Sequence, residues 1–165
     1  MFQKVSKSFK RNKGITLVEL VMALAILGVT VSILYMVFFS NWRAYEDRIA
    51  RANLWTEANE IMETMTMDGR VAHQINVSQQ QDGSFVTTFV DTLDQPIATY
   101  VMTDDGRFQV ARAQGEFRTI SEYLVLERSS FIKDGESLNM TLALQDNVFG
   151  KPVGVQTAIE IYPRN

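Results

Sequence analysis

Glu19 is the residue whose position most needs a chemical explanation, because it is a carboxylate inside an apolar run. From Ile15 to Trp42 it is the only acidic or basic side chain. A charged side chain at bilayer depth costs about 2.5–3.5 kcal/mol on insertion scales, so such residues usually have a partner. A local partner is the positive end of its own helix dipole, which contributes a few tenths to about 1 kcal/mol. This local interaction alone does not explain why an acid is tolerated in lipid.

The other candidate groups predict structural roles rather than catalysis or metal binding. His73 is the only histidine and the chain has no cysteine, which argues against a transition-metal site. Asp104-Asp105-Gly106 lacks the alternating acids of a calcium loop and is typical of a tight turn. Residues 150–154 have the wrong spacing for a phosphate loop, and their proline removes an N–H donor. We therefore predict that the protein is not an enzyme and needs no cofactor or metal ion.

The charges separate a basic head from an acidic body. Residues 1–14 carry five lysine or arginine residues and no acid, whereas the remainder carries 11 basic and 19 acidic residues. This asymmetry indicates a sorting signal rather than a binding surface. No basic patch with interleaved aromatic residues follows residue 42, so we expect no nucleic-acid partner.

The apolar run from Ile15 to Trp42 is long enough to cross a membrane. About 25 residues of helix rise close to 40 Å, and a bilayer core is roughly 30 Å thick. A cleaved secretory signal has an apolar region of only about 7–15 residues and a small-residue cleavage site behind it, which does not fit this run. The basic head predicts that the N-terminus stays in the cytoplasm and that residues 43–165 lie outside.

Helical spacing of apolar residues continues beyond this run. They recur at intervals of three and four, which predicts one helix from about Ile15 to about Ile75. Because an amphipathic stripe needs a partner, the outer half of this helix must pack against another element. The predicted stripe consists of Tyr45, Ile49, Ala52, Trp55, Ala58, Met62, Met65, Ala72 and Ile75.

After Gly83 apolar residues recur at every second position, which predicts strands. Turn signals separate these segments at Asp91–Pro96, Asp104–Gly106, Asp134-Gly135 and Asn147–Gly154. The sequence therefore predicts an α+β fold, in which a long N-terminal helix packs on a mostly antiparallel β-sheet. The predicted strands are Phe85–Val90, Ile97–Met102, Phe108–Ala111, Tyr123–Glu127, Leu138–Leu144 and Val155–Tyr162.

The junction between the basic head and the apolar run carries a recognisable motif. Lys13-Gly14-Ile15-Thr16-Leu17-Val18-Glu19-Leu20 resembles the type III signal of type IV pilins and type II secretion pseudopilins. The resemblance implies that a prepilin peptidase cuts between Gly14 and Ile15 and methylates the new N-terminus at Ile15. The departure is Ile15 itself, where phenylalanine is most usual, and this could slow methylation without preventing cleavage.

The same resemblance implies a role for Glu19 in assembly. Cleavage creates an α-amino group at Ile15, which is mostly protonated at neutral pH. In a low-dielectric membrane this cation and Glu19 of a neighbouring subunit can neutralise each other, and in this family the pairing sets subunit register. The implied partners are other pilin-like subunits through the N-terminal helix, the prepilin peptidase and an inner-membrane assembly platform.

Downstream segments are similar to one subgroup of the family. The stretch from Ala58 to Ile75, the segment Ile97–Val101 and the Asp105-Gly106 turn resemble J-type minor pseudopilins and related minor pilins. The implied division is a leader at 1–14, a transmembrane half of the helix at 15–42, an amphipathic half at 43–76 and a β-rich domain at 77–165.

Three functions stay open on the sequence alone. The first is a minor structural subunit of a type II secretion pseudopilus, anchored singly in the bacterial inner membrane with its C-terminal domain in the periplasm. The second is a minor pilin of a type IV pilus, for adhesion, motility or DNA uptake. The third is an unprocessed, membrane-anchored binding or enzyme domain.

Overall fold

A computed structural model of the chain describes residues 15–113 and 115–164. These residues form two compact units that divide between Trp42 and Arg43, and each unit is treated by itself below. One α-helix, α1, runs from Leu17 to Val71 and contributes to both units. Eight strands follow it: β1 Gln74–Gln79, β2 Phe85–Val90, β3 Pro96–Met102, β4 Phe108–Arg112, β5 Arg118–Ser121, β6 Ser130–Asp134, β7 Ser137–Val148 and β8 Lys151–Ile161.

The strands of the second unit form two antiparallel sheets in chain order. Strands β1 to β5 make the larger sheet, and β6 to β8 make the smaller one. The predicted turn at Asp104–Gly106 joins β3 to β4, with Gly106 at φ 83°, a left-handed conformation that glycine adopts without steric cost. The predicted α+β fold is confirmed: the long helix packs on antiparallel sheet.

The buried face of α1 in the second unit differs from the predicted stripe. Tyr45, Ile49, Ala52 and Trp55 are exposed, Tyr45 to 63% and Trp55 to 44%, so their assignment to the packed face was wrong. The positions of the predicted stripe recur at an average interval shorter than the 3.6 residues of one helical turn. Such a stripe winds around the helix instead of staying on one side. The true face keeps close to the helical repeat and consists of Ala50, Leu54, Ala58, Ile61, Met65 and Gly69.

The helix ends four residues earlier than predicted, at Val71 rather than near Ile75. The N–H of His73 donates to the carbonyl oxygen of Val90 at 2.8 Å, and Gln74 then pairs with Val90 as β1 begins. Ile75 is buried, as predicted, but as a strand residue. The spacing of Ile75 from its apolar neighbours fits both a helix and a strand, so the hydrogen bonds to β2 decide that it lies in a strand. A boundary at 76/77 therefore falls inside β1.

Five predicted strands are present as β2, β3, β4, β7 and β8, whereas β1, β5 and β6 were not predicted. The strand predicted at Tyr123–Glu127 was wrong. Only Leu124 forms a bridge there, to Leu144, and a single 3-10 turn follows at Leu126–Arg128. The predicted turn at Asn147–Gly154 was too wide, because β7 and β8 continue to Val148 and from Lys151.

A polar contact joins the end of α1 to the larger sheet. The hydroxyl of buried Tyr100 donates to Asp68 Oδ2 at 2.6 Å, and Arg112 Nη2 lies 3.6 Å from the same oxygen. Burial, and then the hydrogen bond to Asp68, raise the pKa of Tyr100 far above its ordinary value. The phenol is therefore a neutral donor in the folded chain.

This contact predicts how stability responds to alkali. A raised folded-state pKa of a phenol contributes stability that is present below its ordinary pKa of 10.0 and is lost as pH rises above it, because the unfolded chain ionises first. We expect Tyr100→Phe to cost about 1–3 kcal/mol at pH 7, since it leaves an Asp68 oxygen without its donor. Urea unfolding should show a smaller loss of stability between pH 9 and 11 in the variant than in the unmodified chain. Parallel pH profiles would contradict this account of Tyr100.

Candidate processing and assembly site

The start of α1 is held by a reciprocal pair of contacts between Thr16 and Glu19. The backbone N–H of Thr16 donates to Glu19 Oε2 at 3.0 Å, and the N–H of Glu19 donates to Thr16 Oγ1 at 3.3 Å. The Thr16 hydroxyl also donates to Glu19 Oε2, at 3.2 Å. This arrangement is a capping box, in which two backbone donors of the first helical turn are satisfied by side chains.

The capping box gives Glu19 a fixed orientation and leaves part of its carboxylate available. All three contacts use Oε2 or the backbone of Glu19, and Oε1 has no hydrogen-bond partner among the residues that the structure describes. The donor of Thr16 belongs to the peptide bond between Ile15 and Thr16, so a cut before Ile15 would leave it intact. The geometry allows Glu19 to cap its own helix and to accept one further donor.

Sequence reasoning missed Thr16 as a functional residue. The local signal was present, since Thr16-Leu17-Val18-Glu19 matches the Ser/Thr-x-x-Glu pattern that precedes an apolar helical run. The two proposed partners of Glu19, its own helix end and a second chain, are therefore compatible.

The predicted cleavage position lies only partly within the described residues. Gly14 and the basic head fall outside them, whereas Ile15 is described and its side chain is 77% exposed. Ile15 precedes the capping residue directly, so in the described chain the predicted new terminus would stand at the very start of α1.

The first unit exposes its apolar side chains. Among the described residues one helix, α1, is long and apolar enough to cross a membrane, and none of its most apolar 18-residue window is buried. A core helix of a soluble domain would instead bury such a surface. The hydroxyls of Thr30 and Ser32 donate to the carbonyls of Ile26 and Gly28, both at 2.8 Å, which satisfies these polar groups in an apolar environment. These features are consistent with anchoring in the inner membrane.

The remaining candidate groups belong to the second unit. His73 is exposed at the junction of α1 and β1, and Asp105 pairs with Arg107 in the β3–β4 turn at 3.2 Å. Within residues 15–113 and 115–164, no three His, Cys, Asp or Glu side chains cluster as metal ligands would.

Comparison with known protein families gives one match, to the prokaryotic N-terminal methylation motif, over residues 9–35. No curated protein and no solved structure matched the chain. The matched range includes the leader junction, the capping box and the apolar run as far as residue 35. It confirms the resemblance of Lys13–Leu20 to a prepilin signal. The chain therefore carries a prepilin N-terminal methylation motif on a pilin-like α+β fold, consistent with the type IV pilin and pseudopilin family.

Proposed function

We propose that this protein is a minor structural subunit of a type II secretion pseudopilus, of the J type, which assembles through its N-terminal helix. In this proposal the prepilin peptidase removes residues 1–14 and methylates the amine of Ile15. Before assembly the subunit is anchored in the inner membrane, with its N-terminus in the cytoplasm and residues 43–165 in the periplasm. An assembly platform moves it into the fibre beside other pilin-like subunits.

The observation that carries this proposal is the state of Glu19. An acid within an apolar segment is costly without a partner. Its own capping box engages Oε2 and leaves Oε1 without a described partner. The amine that cleavage would create at Ile15 is a donor of the right charge, and on an adjacent subunit it can neutralise Glu19 where the dielectric is low.

The choice of a secretion role rests on the resemblance of the stretch Ala58–Ile75 to J-type minor pseudopilins. A minor pilin of a surface pilus would share the same motif and the same fold. Genes next to this one separate the two roles, since secretion and pilus operons encode different outer-membrane components.

The N-terminus of the mature protein tests the proposal directly. In cells that contain the peptidase we expect a chain that begins at Ile15 and carries one added methyl group, measured by mass spectrometry of the purified protein. In cells that lack the peptidase the chain should begin at Met1. If the chain began at Met1 in both kinds of cell, the protein would be an unprocessed membrane-tethered domain, and the proposed pseudopilin role would be wrong.

Two substitutions at Gly14 make the test specific for the cleavage site. We expect Gly14→Val to block processing, because a branched side chain crowds the backbone that the peptidase must bind. We expect Gly14→Ala to be processed to a large extent. The ratio of precursor to mature chain on a gel measures both. Equal processing of the two variants would count against cleavage at this position.

A further inference from the structure

The turn between β7 and β8 presents a large apolar side chain in an unfavourable backbone conformation. Phe149 has φ 50° and Gly150 has φ 75°, and a two-residue hairpin turn with both φ values positive strongly favours Asn-Gly. For a bulky residue the left-handed region is a genuine outlier, and such outliers concentrate at functional positions. Phe149 is 60% exposed, so burial within the chain does not offset this strain.

The contacts between β8 and α1 show where this turn lies in the second unit. A side chain at Gly69 would meet Ile161 Cγ2 at 2.2 Å, Thr157 Oγ1 lies 3.6 Å from Met62 Sδ, and Arg51 shares a cleft with Pro152. Residues of β8 with lower numbers therefore lie beside residues of α1 with lower numbers. Three further residues of strand extend about 10 Å, which is about seven residues of helix. The Phe149 turn reaches the level of residues 43–46, at the end of the unit where α1 enters.

Unpaired cations lie beside this turn. Arg51 and Arg128 line one cleft of about 300 Å³, together with Pro152 and Gly154, and none of the described acidic residues lines it. Neither arginine forms a salt bridge with a residue that the structure describes. Lys151 is exposed next to the turn. The acids at this end of the unit lie outside the cleft and are Glu46, Asp47, Glu127 and Asp146.

We propose that the β7–β8 turn is a lipid-contacting element, with Phe149 inserted among the headgroups of the bilayer and the Arg51–Arg128 cleft holding the phosphate of an anionic lipid. Aromatic side chains favour the interface between lipid and water, and each Lys or Arg near an anionic surface adds to the attraction. Arginine matches phosphate geometry. Only eight residues lie between Trp42, at the end of the apolar run, and Arg51, so a bilayer that holds the apolar run is close to this cleft along the chain. The inference rests on the proposed membrane anchoring but not on cleavage or fibre assembly.

Single cysteines make this testable, because the chain has none of its own. The full chain is reconstituted in vesicles and labelled with a fluorophore at Asn147→Cys, two residues before Phe149. A matched reporter at Glu136→Cys sits in the β6–β7 turn, at the opposite end of the smaller sheet. A third reporter at Leu34→Cys lies in the apolar run and reports anchoring. The measurement is quenching by nitroxides attached to lipid headgroups or acyl chains.

We expect headgroup quenching at position 147 to exceed that at position 136 by about threefold or more in vesicles with anionic lipid. Phe149→Asn should reduce headgroup quenching at position 147 to the value measured at position 136. The same substitution should raise the unfolding midpoint, because asparagine tolerates the backbone conformation of this turn. Arg51→Gln with Arg128→Gln should reduce it in anionic vesicles and leave it unchanged in zwitterionic ones.

Other outcomes overturn the proposal in distinguishable ways. Acyl-chain quenching at position 34 together with equal headgroup quenching at positions 147 and 136 would reject the lipid contact while leaving the anchor intact. Absence of quenching at position 34 would reject the anchor and the lipid contact with it. Shielding at position 147 that depends on protein concentration but not on lipid would assign the turn to a second copy of the chain.

Discussion

Glu19→Gln should be processed normally and yet lose most of its association with other pilin-like subunits. Glutamine can replace glutamate in a capping box, so the start of α1 should be preserved. The negative charge is removed, however, and with it the attraction to the amine of a neighbouring Ile15. We expect co-purification with partner subunits to fall by about tenfold or more, the equivalent of about 1.4 kcal/mol.

Thr16→Val is the matched control for this experiment. It removes the hydroxyl that accepts the Glu19 N–H at 3.3 Å but keeps the carboxylate. Loss of a helix cap costs about 0.5–2 kcal/mol of local stability, so we expect a modest effect on assembly and a measurable loss of helix at the N-terminus. If Glu19→Gln co-purified as the unmodified chain does while Thr16→Val did not, capping would be the role of Glu19, and charge pairing between subunits would be wrong.

Gly69→Leu should strongly destabilise the second unit. Gly69 is on the buried face of α1, and a Cβ built there lies 2.2 Å from Ile161 Cγ2 and 3.3 Å from Phe89 Cε1. At an exposed helix position, glycine to alanine gains up to about 1 kcal/mol. Here overpacking outweighs that gain, and we expect a loss of about 1–2 kcal/mol for Gly69→Ala and about 3 kcal/mol for Gly69→Leu.

Urea unfolding of the full chain in detergent measures both variants. Glu63→Leu, on the exposed side of the same helix, is the control and should change stability by less than about 0.5 kcal/mol. Ile161→Ala combined with Gly69→Ala should cost less than the two single changes together, because the clash involves that side chain. A stabilising Gly69→Ala would mean that α1 and β8 are farther apart than the structure shows.

Features that depend on neighbours along the chain were readable from the sequence. The prepilin motif, the apolar run and the basic head are contiguous, and their chemistry needs no other part of the fold. Strands β2, β3 and β4 also followed from alternating residues between clear turns. The capping box is equally local, because it depends only on the three-residue spacing between Thr16 and Glu19.

Features that depend on distant partners were decided by the tertiary structure. The face of α1 that is buried, the end of the helix at Val71 and the strand character of Ile75 all follow from hydrogen bonds and packing with β2 and β8. The absence of a strand at Tyr123–Glu127, where Leu124 instead bridges to Leu144 of β7, also depends on a distant partner. A sequence states which residues prefer burial, but the identity of the surface that buries them is a property of the folded chain alone.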